Sequence, residues 1–211
     1  MNPRTRKQLV QGPSGVLECA VDEPDGAAQA HPDAGSVLLC HPHPLHGGTL
    51  DNKVVQTLAR AFVQLGWRVV RLNFRGVGES AGSWAQGPGE IDDALAVMAA
   101  FDEPGHVWSV GGFSFGAYVA SHVAQQRLAA QRAARHLVLV GPAVVNFNMA
   151  SVPPSTLVVH GQTDDVVPLE PVLAWAQSQL LPVTVVPGTG HFFHGQLNLL
   201  KNIVLQHCRT C

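Results

Sequence analysis

The sequence predicts an α/β protein: a doubly wound, mostly parallel sheet flanked by helices. Two observations predict it. Short β-branched apolar runs alternate with amphipathic helical patterns along the chain, as in parallel strands joined by crossover helices. The polar, chemistry-bearing clusters then fall just after the predicted strands, at the carboxyl edge where open α/β sheets build their sites. With 211 residues, 46% of them apolar and 13% charged, the chain is sized for a single domain over 1–211 with a full core. Residues 1–12 are expected to form an extended N-terminal segment.

The first predicted strand covers 15–21, followed by an exposed Pro-, Gly-, Ala- and Asp-rich connection over 22–35. A buried strand covers 36–40. Val54, Val55, Leu58, Phe62 and Leu65 then mark one face of a helix over 51–65, capped by Thr49 or Asp51 and stopped by Gly66. A strand over 68–74 leads to a helix over 90–101 with Ile91, Leu95, Met98 and Phe101 on one face. Next come a strand over 107–111, a helix over 116–128 and strands over 136–140 and 156–160. A helix over 171–180, with Pro171 in its first turn, a strand over 183–186 and a helix over 196–207 close the pattern. There is no internal repeat, low-complexity tract or interdomain linker.

Composition excludes several classes of function. A formal net charge of −2 gives no reason to expect nucleic acid or an anionic membrane as partner. No apolar stretch reaches the 18 or so residues of a membrane span. The basic residues Arg4, Arg6 and Lys7 are followed by Gln8, Gln11 and Gly12 rather than an apolar segment, so no signal peptide is read and a cytoplasmic location is expected. Cys208 and Cys211 form a Cys-x-x-Cys pair without a second pair to complete a zinc site or a βαβ setting for redox chemistry. A frayed terminus is expected there. No cofactor is expected.

The chemistry concentrates in three strand exits. Gly112-Phe113-Ser114-Phe115-Gly116 has the Gly-x-Ser-x-Gly form of a sharp strand-to-helix turn, where small neighbours let a nucleophilic serine occupy a strained position. The helix that follows directs free N–H groups and its positive dipole end at that hydroxyl. The bland alternative is a serine that merely caps the helix.

A serine needs a base, and the base an orienting carboxylate. Residues 142–155 contain no Asp or Glu, whereas Gly161-Gln162-Thr163-Asp164-Asp165 follows the next strand. The acid is therefore Asp164 or Asp165. Asp164 is preferred, with Asp165 expected to bond backbone amides of the turn. The last strand ends in Pro187-Gly188-Thr189-Gly190-His191, and the chain order Ser114, Asp164, His191 selects His191 as base over His160 and His194.

That order, together with Asn73-Phe74-Arg75-Gly76-Val77-Gly78-Glu79-Ser80 after an earlier strand, resembles the α/β-hydrolase superfamily over most of the chain. The segments His41-Pro42-His43-Pro44-Leu45-His46-Gly47-Gly48-Thr49 and His191-Phe192-Phe193-His194-Gly195 look like the small bacterial members related to dienelactone hydrolase and prolyl oligopeptidase. The elbow here carries Ser rather than the Cys of the dienelactone type. The resemblance implies the triad Ser114, Asp164, His191 and an oxyanion hole of two backbone N–H groups. Phe115 supplies the first. The second comes from the 41–49 loop, where Pro42 and Pro44 have none to give. His43 matches the family position, with Leu45 as fallback.

Residues 142–155 are too short for a helical cap, so an open site is expected with Phe147 and Met149 near its rim. Small or projecting esters and thioesters suit such a site. Arg75 and Glu79 are expected to bond neighbouring loops, with substrate contact as the alternative. Two rival readings remain: a metal-dependent hydrolase or binding protein using His41, His43 and His46, and a non-catalytic module on the same fold.

Overall fold

The computed structural model describes residues 5–24 and 35–210; Arg4, Cys211 and most of the predicted 22–35 connection lie outside the described residues. The strands are β1 (Arg6–Gly12), β2 (Gly15–Asp22), β3 (Ser36–Cys40), β4 (Arg68–Leu72), β5 (Trp108–Phe113), β6 (Leu137–Val140), β7 (Leu157–Gly161) and β8 (Val183–Val186). They form one sheet in the order β1-β2-β4-β3-β5-β6-β7-β8. β1, β2 and β4 pair antiparallel, and every pairing from β4 to β8 is parallel. The helices are α1 (Lys53–Gln64), α2 (Pro88–Ala100), α3 (Phe115–Ala129), α4 (Leu169–Gln177) and α5 (Leu197–Thr210), with a 3-10 turn at Pro44–His46.

Why the central strands are mostly apolar follows from burial on both faces. Successive side chains of β3 point to opposite layers: Leu38 and Cys40 pack with α2 and α3, while Val37 and Leu39 pack with α1 and α5. Val70 and Val69 on β4 divide in the same way. The expected doubly wound sheet is thus present, without a lid domain.

Several boundaries differ from the sequence reading. The segment 1–12 contains β1, a hairpin edge strand whose polar residues are exposed and in which only Val10 is buried. The cap of α1 is Asn52, whose side-chain oxygen accepts from the Val54 N–H at 2.9 Å, rather than Thr49 or Asp51. Helix α2 starts earlier, at Pro88, because Glu90 reaches back to accept from the N–H groups of Ala85 and Gly87 at 2.9 and 2.8 Å. Helix α4 runs from Leu169 to Gln177, with Pro171 in its first turn, where its missing N–H has no helical partner to lose. The C-terminus is not frayed at Cys208. That residue is buried on α5 among the side chains of the α1–α5 layer.

Candidate active site

β5 delivers Ser114 onto the elbow. Its backbone is held at φ 57°, ψ −119°, a conformation that a side-chain-bearing residue adopts only where the surroundings force it. They do so tightly. A Cβ on Gly112 would lie 2.0 Å from the Gly116 carbonyl oxygen, and one on Gly116 would lie 2.2 Å from that of Cys40. Those two positions therefore accept only glycine, and the start of α3 sits directly against the exit of β3. The Ser114 N–H donates to the Val140 carbonyl at 2.9 Å. The hydroxyl makes no capping bond to α3, so the serine does not serve merely as a helix cap.

The acid and histidine loops are joined to each other. Thr163 N–H donates to the Thr189 carbonyl and Gln162 N–H to that of Val186, both at 3.0 Å. Gly161 allows the approach, since a Cβ there would meet the Thr189 oxygen at 2.3 Å. Phe193, fully buried among the α1 and α5 side chains, anchors the far side of the histidine loop.

His191 Nδ1 lies 2.7 Å from Asp164 Oδ2, both side chains being almost wholly buried. Burial alone would raise the Asp164 carboxyl, yet the hydrogen bonds from His191 and the Val167 N–H, with smaller charge effects of His191 and His160, hold it below the usual carboxylate range. An ionised carboxylate only accepts, so Nδ1 of His191 carries the proton it donates, and in the neutral ring the lone pair is on Nε2. The ring lies over Gly141, at φ 51°, where an added Cβ would come within 3.3 Å of His191 Cε1. It also packs against Phe113, the residue before the serine, with ring centroids 4.8 Å apart. The contacts of His191 do not include a hydrogen bond to Ser114, a link that commonly tightens only with substrate in place.

Asp164 also takes the role expected of Asp165. Its Oδ1 accepts from the Val166 and Val167 N–H groups at 3.0 and 2.8 Å, while Asp165 is exposed. A second histidine, His160 on β7, which chain order sets aside as the base, also lies beside the acid. Its Nε2 donates to the Val167 carbonyl at 2.9 Å and lies 3.5 Å from Asp164 Oδ2. The spacing of four residues from Asp164 was the available signal. His194 is exposed and touches only the Phe192 ring among its ring contacts.

The 41–49 loop departs from the metal reading. His41 is fully buried; its Nδ1 donates to the Pro42 carbonyl at 2.6 Å and its Nε2 accepts from the Phe74 N–H at 3.1 Å. Both ring nitrogens are thus engaged by backbone, leaving no lone pair for a cation. The His43 and His46 rings stack at 4.5 Å. Among the described residues, no three His, Cys, Asp or Glu side chains converge on a metal-sized site. Nor does the neighbouring Cys40 offer a thiolate, because burial pushes its thiol well up.

His43 instead joins an aromatic wall. Its ring lies 4.5 Å from Trp84, 5.5 Å from Phe115 and 6.0 Å from Phe147. Phe147 is half-buried, while Met149 is buried rather than on the rim. Trp84 was missed, its only signal being a large aromatic within a Gly- and Ser-rich segment. Burial and then the nearby His46 lower the His43 pKa. The N–H groups of Phe115 and His43 donate to no backbone acceptor among the described residues.

Arg75 is structural: it binds Asp93 through two nitrogens, at 2.9 and 2.7 Å, and the Gly89 carbonyl at 2.6 Å. Glu79 is exposed, and its N–H donates to the buried Glu18 carboxylate at 3.0 Å.

The buried His41 makes stability pH-dependent. Burial lowers its pKa from 6.5 to about 4 in the folded protein. Its contribution is therefore fully present above the unfolded value and is lost as pH falls toward 4. About 2 kcal/mol is expected to go between pH 7 and 5. The urea midpoint should fall over that interval, and the fall should be shallower in His41→Gln. A profile equally steep in both proteins would contradict the assignment.

The geometry has counterparts in known proteins. The family model described as "alpha/beta hydrolase fold" matches residues 36–155. A protein of Rickettsia prowazekii, RP471, is 31% identical over 198 residues, covering 86% of this chain and 79% of its own length. The crystal structure of XC6422 from Xanthomonas campestris, described as an α/β serine hydrolase without lid, superposes with a TM-score of 0.86 at 34% identity, covering 99% of this chain and 95% of that one. An α/β serine hydrolase homologue from Coxiella burnetii gives 0.81 at 37% identity, covering 95% and 96%. With the strained serine, the elbow glycines and the lidless parallel sheet already in place, this chain belongs to the α/β-hydrolase family.

Proposed function

We propose that this member of the family is a serine hydrolase cleaving a carboxylic ester or thioester, with Ser114, His191 and Asp164 as its triad. The observation that carries the reading is the 2.7 Å contact between His191 and Asp164, in a chain whose Ser114 is held strained and uncapped at the elbow. Ser114 Oγ attacks the substrate carbonyl as its proton passes to His191 Nε2. The oxyanion is held by the N–H groups of Phe115 and His43. The intermediate collapses, and the leaving alcohol or thiol takes the proton from Nε2. Water then repeats the sequence on the acyl-enzyme, releasing the acid and restoring the serine.

Asp164 stays ionised throughout and stabilises the imidazolium that forms at each step. The metal-dependent alternative loses its first ligand, since both nitrogens of His41 are occupied. Substrate shape is read from the half-buried Trp84 and Phe147 beside His43 and the 43% exposed Phe192 beside His191. These make an apolar, uncovered surface suited to short acyl groups or to a single ring.

A series of p-nitrophenyl esters from acetate to decanoate tests the reading, with kcat/KM expected to peak at short acyl length and to be matched by a thioester of the same acid. A value still rising at decanoate would contradict the open-site shape. No turnover of any member would contradict the proposed activity.

A further inference from the structure

Far from the elbow, at the C-terminal ends of α2 and α3, lies a cavity of about 260 Å³. Arg127 on α3 is thirteen residues beyond Ser114, about 20 Å along the helix axis, so this cavity is separate from the proposed catalytic centre. Arg127 is only 9% exposed, and its buried Nε donates to nothing among the described residues. It does not serve the end of its own helix either. The carbonyls of Gln126, Arg127 and Leu128 accept from the backbone N–H groups of Ala130, Arg132 and Gln131.

Among the described residues Arg127 makes no ion pair of its own: the one carboxylate lining the cavity beside it, Asp102, is engaged elsewhere. Arg132 pairs with Asp102, whose carboxylate also accepts from the Trp108 ring N–H at 3.1 Å. Two guanidinium groups thus share one carboxylate, which leaves one unit of positive charge at the cavity wall. Burial, and then Arg132, pull the Arg127 pKa below its ordinary value, with Asp102 opposing. A buried guanidinium N–H without an acceptor is costly, and an anion bound against Arg127 supplies that acceptor. The rest of the lining includes Leu95 and Met98, which favours an anion with an apolar body over a hydrated inorganic ion.

We propose that this cavity binds a small organic monocarboxylate. Its carboxylate faces the Arg127 guanidinium and its short apolar portion lies against Leu95 and Met98. The planar guanidinium fork suits a carboxylate, and a single negative charge balances the excess.

Sodium benzoate titrated into isotopically labelled protein, followed by two-dimensional NMR, tests this. Saturable shifts are expected at the Arg127 side-chain N–H and at backbone amides near Arg132. Arg127→Met should weaken that response at least about tenfold. Ala99→Trp, at an exposed cavity-lining position of α2, should block it while keeping the guanidinium, so the test survives if the first variant fails to fold. The proposal is overturned if the shifts do not saturate or if they persist in both variants. It is also overturned if inorganic phosphate binds as tightly as benzoate, or if benzoate perturbs only residues around Ser114.

Discussion

Asp164→Asn is expected to lower kcat for ester hydrolysis on the order of 10⁴-fold, while Asp165→Asn leaves it little changed. The physical reason is the tautomer of His191. The ionised Asp164 accepts from Nδ1 and so keeps the lone pair on Nε2, the nitrogen proposed to take the serine proton. An asparagine can turn its NH₂ toward Nδ1, which then becomes the acceptor, and the proton moves to Nε2 where it is useless to a general base. It also removes the negative charge that stabilises the imidazolium. The substitution spares the fold, because the remaining amide oxygen can still accept from the Val166 and Val167 N–H groups now held by Oδ1. Exposed Asp165 has neither duty. The check is kcat for both variants beside their urea midpoints. A large loss in Asp165→Asn with Asp164→Asn unaffected would reverse the assignment.

Much of this was legible in the sequence, for reasons that also explain what was not. β3 and β8 are found at the predicted residues because a strand buried in the sheet writes a continuous apolar run bounded by turn residues. The elbow was legible because the backbone there tolerates so few residue types. The edge strand β1 left little trace: one buried side chain, Val10, in an otherwise polar segment carries no periodicity. The cap of α1 was ambiguous because Thr49, Asp51 and Asn52 all offer a side-chain oxygen, and only the turn geometry selects Asn52.

The candidate site divides along the same line. Chain order and strand exits identified Ser114, His191 and the Asp164–Asp165 pair, since topology places those exits side by side. Which of two adjacent carboxylates turns inward is a matter of turn conformation, and that is invisible in the letters. The histidines of the 41–49 loop were the most misleading feature. Spacing alone suggests ligands, but His41 is consumed by the Phe74 N–H, 33 residues away in sequence, and His43 is absorbed into the aromatic wall. Long-range partners of this kind leave no local pattern, whereas His160 lies only four residues before Asp164 and its spacing could have been read.

The central claim is that Ser114 is the nucleophile. The strained backbone and its hydrogen bond to Val140 do not involve the hydroxyl, so Ser114→Ala should fold normally while losing on the order of 10⁶ in kcat. Intact-mass spectrometry after treatment with a fluorophosphonate tests the claim most directly. The account predicts one adduct on the wild-type chain, located on the peptide carrying Ser114, and none on Ser114→Ala. Undiminished labelling of Ser114→Ala, or an adduct on any other residue, would contradict it.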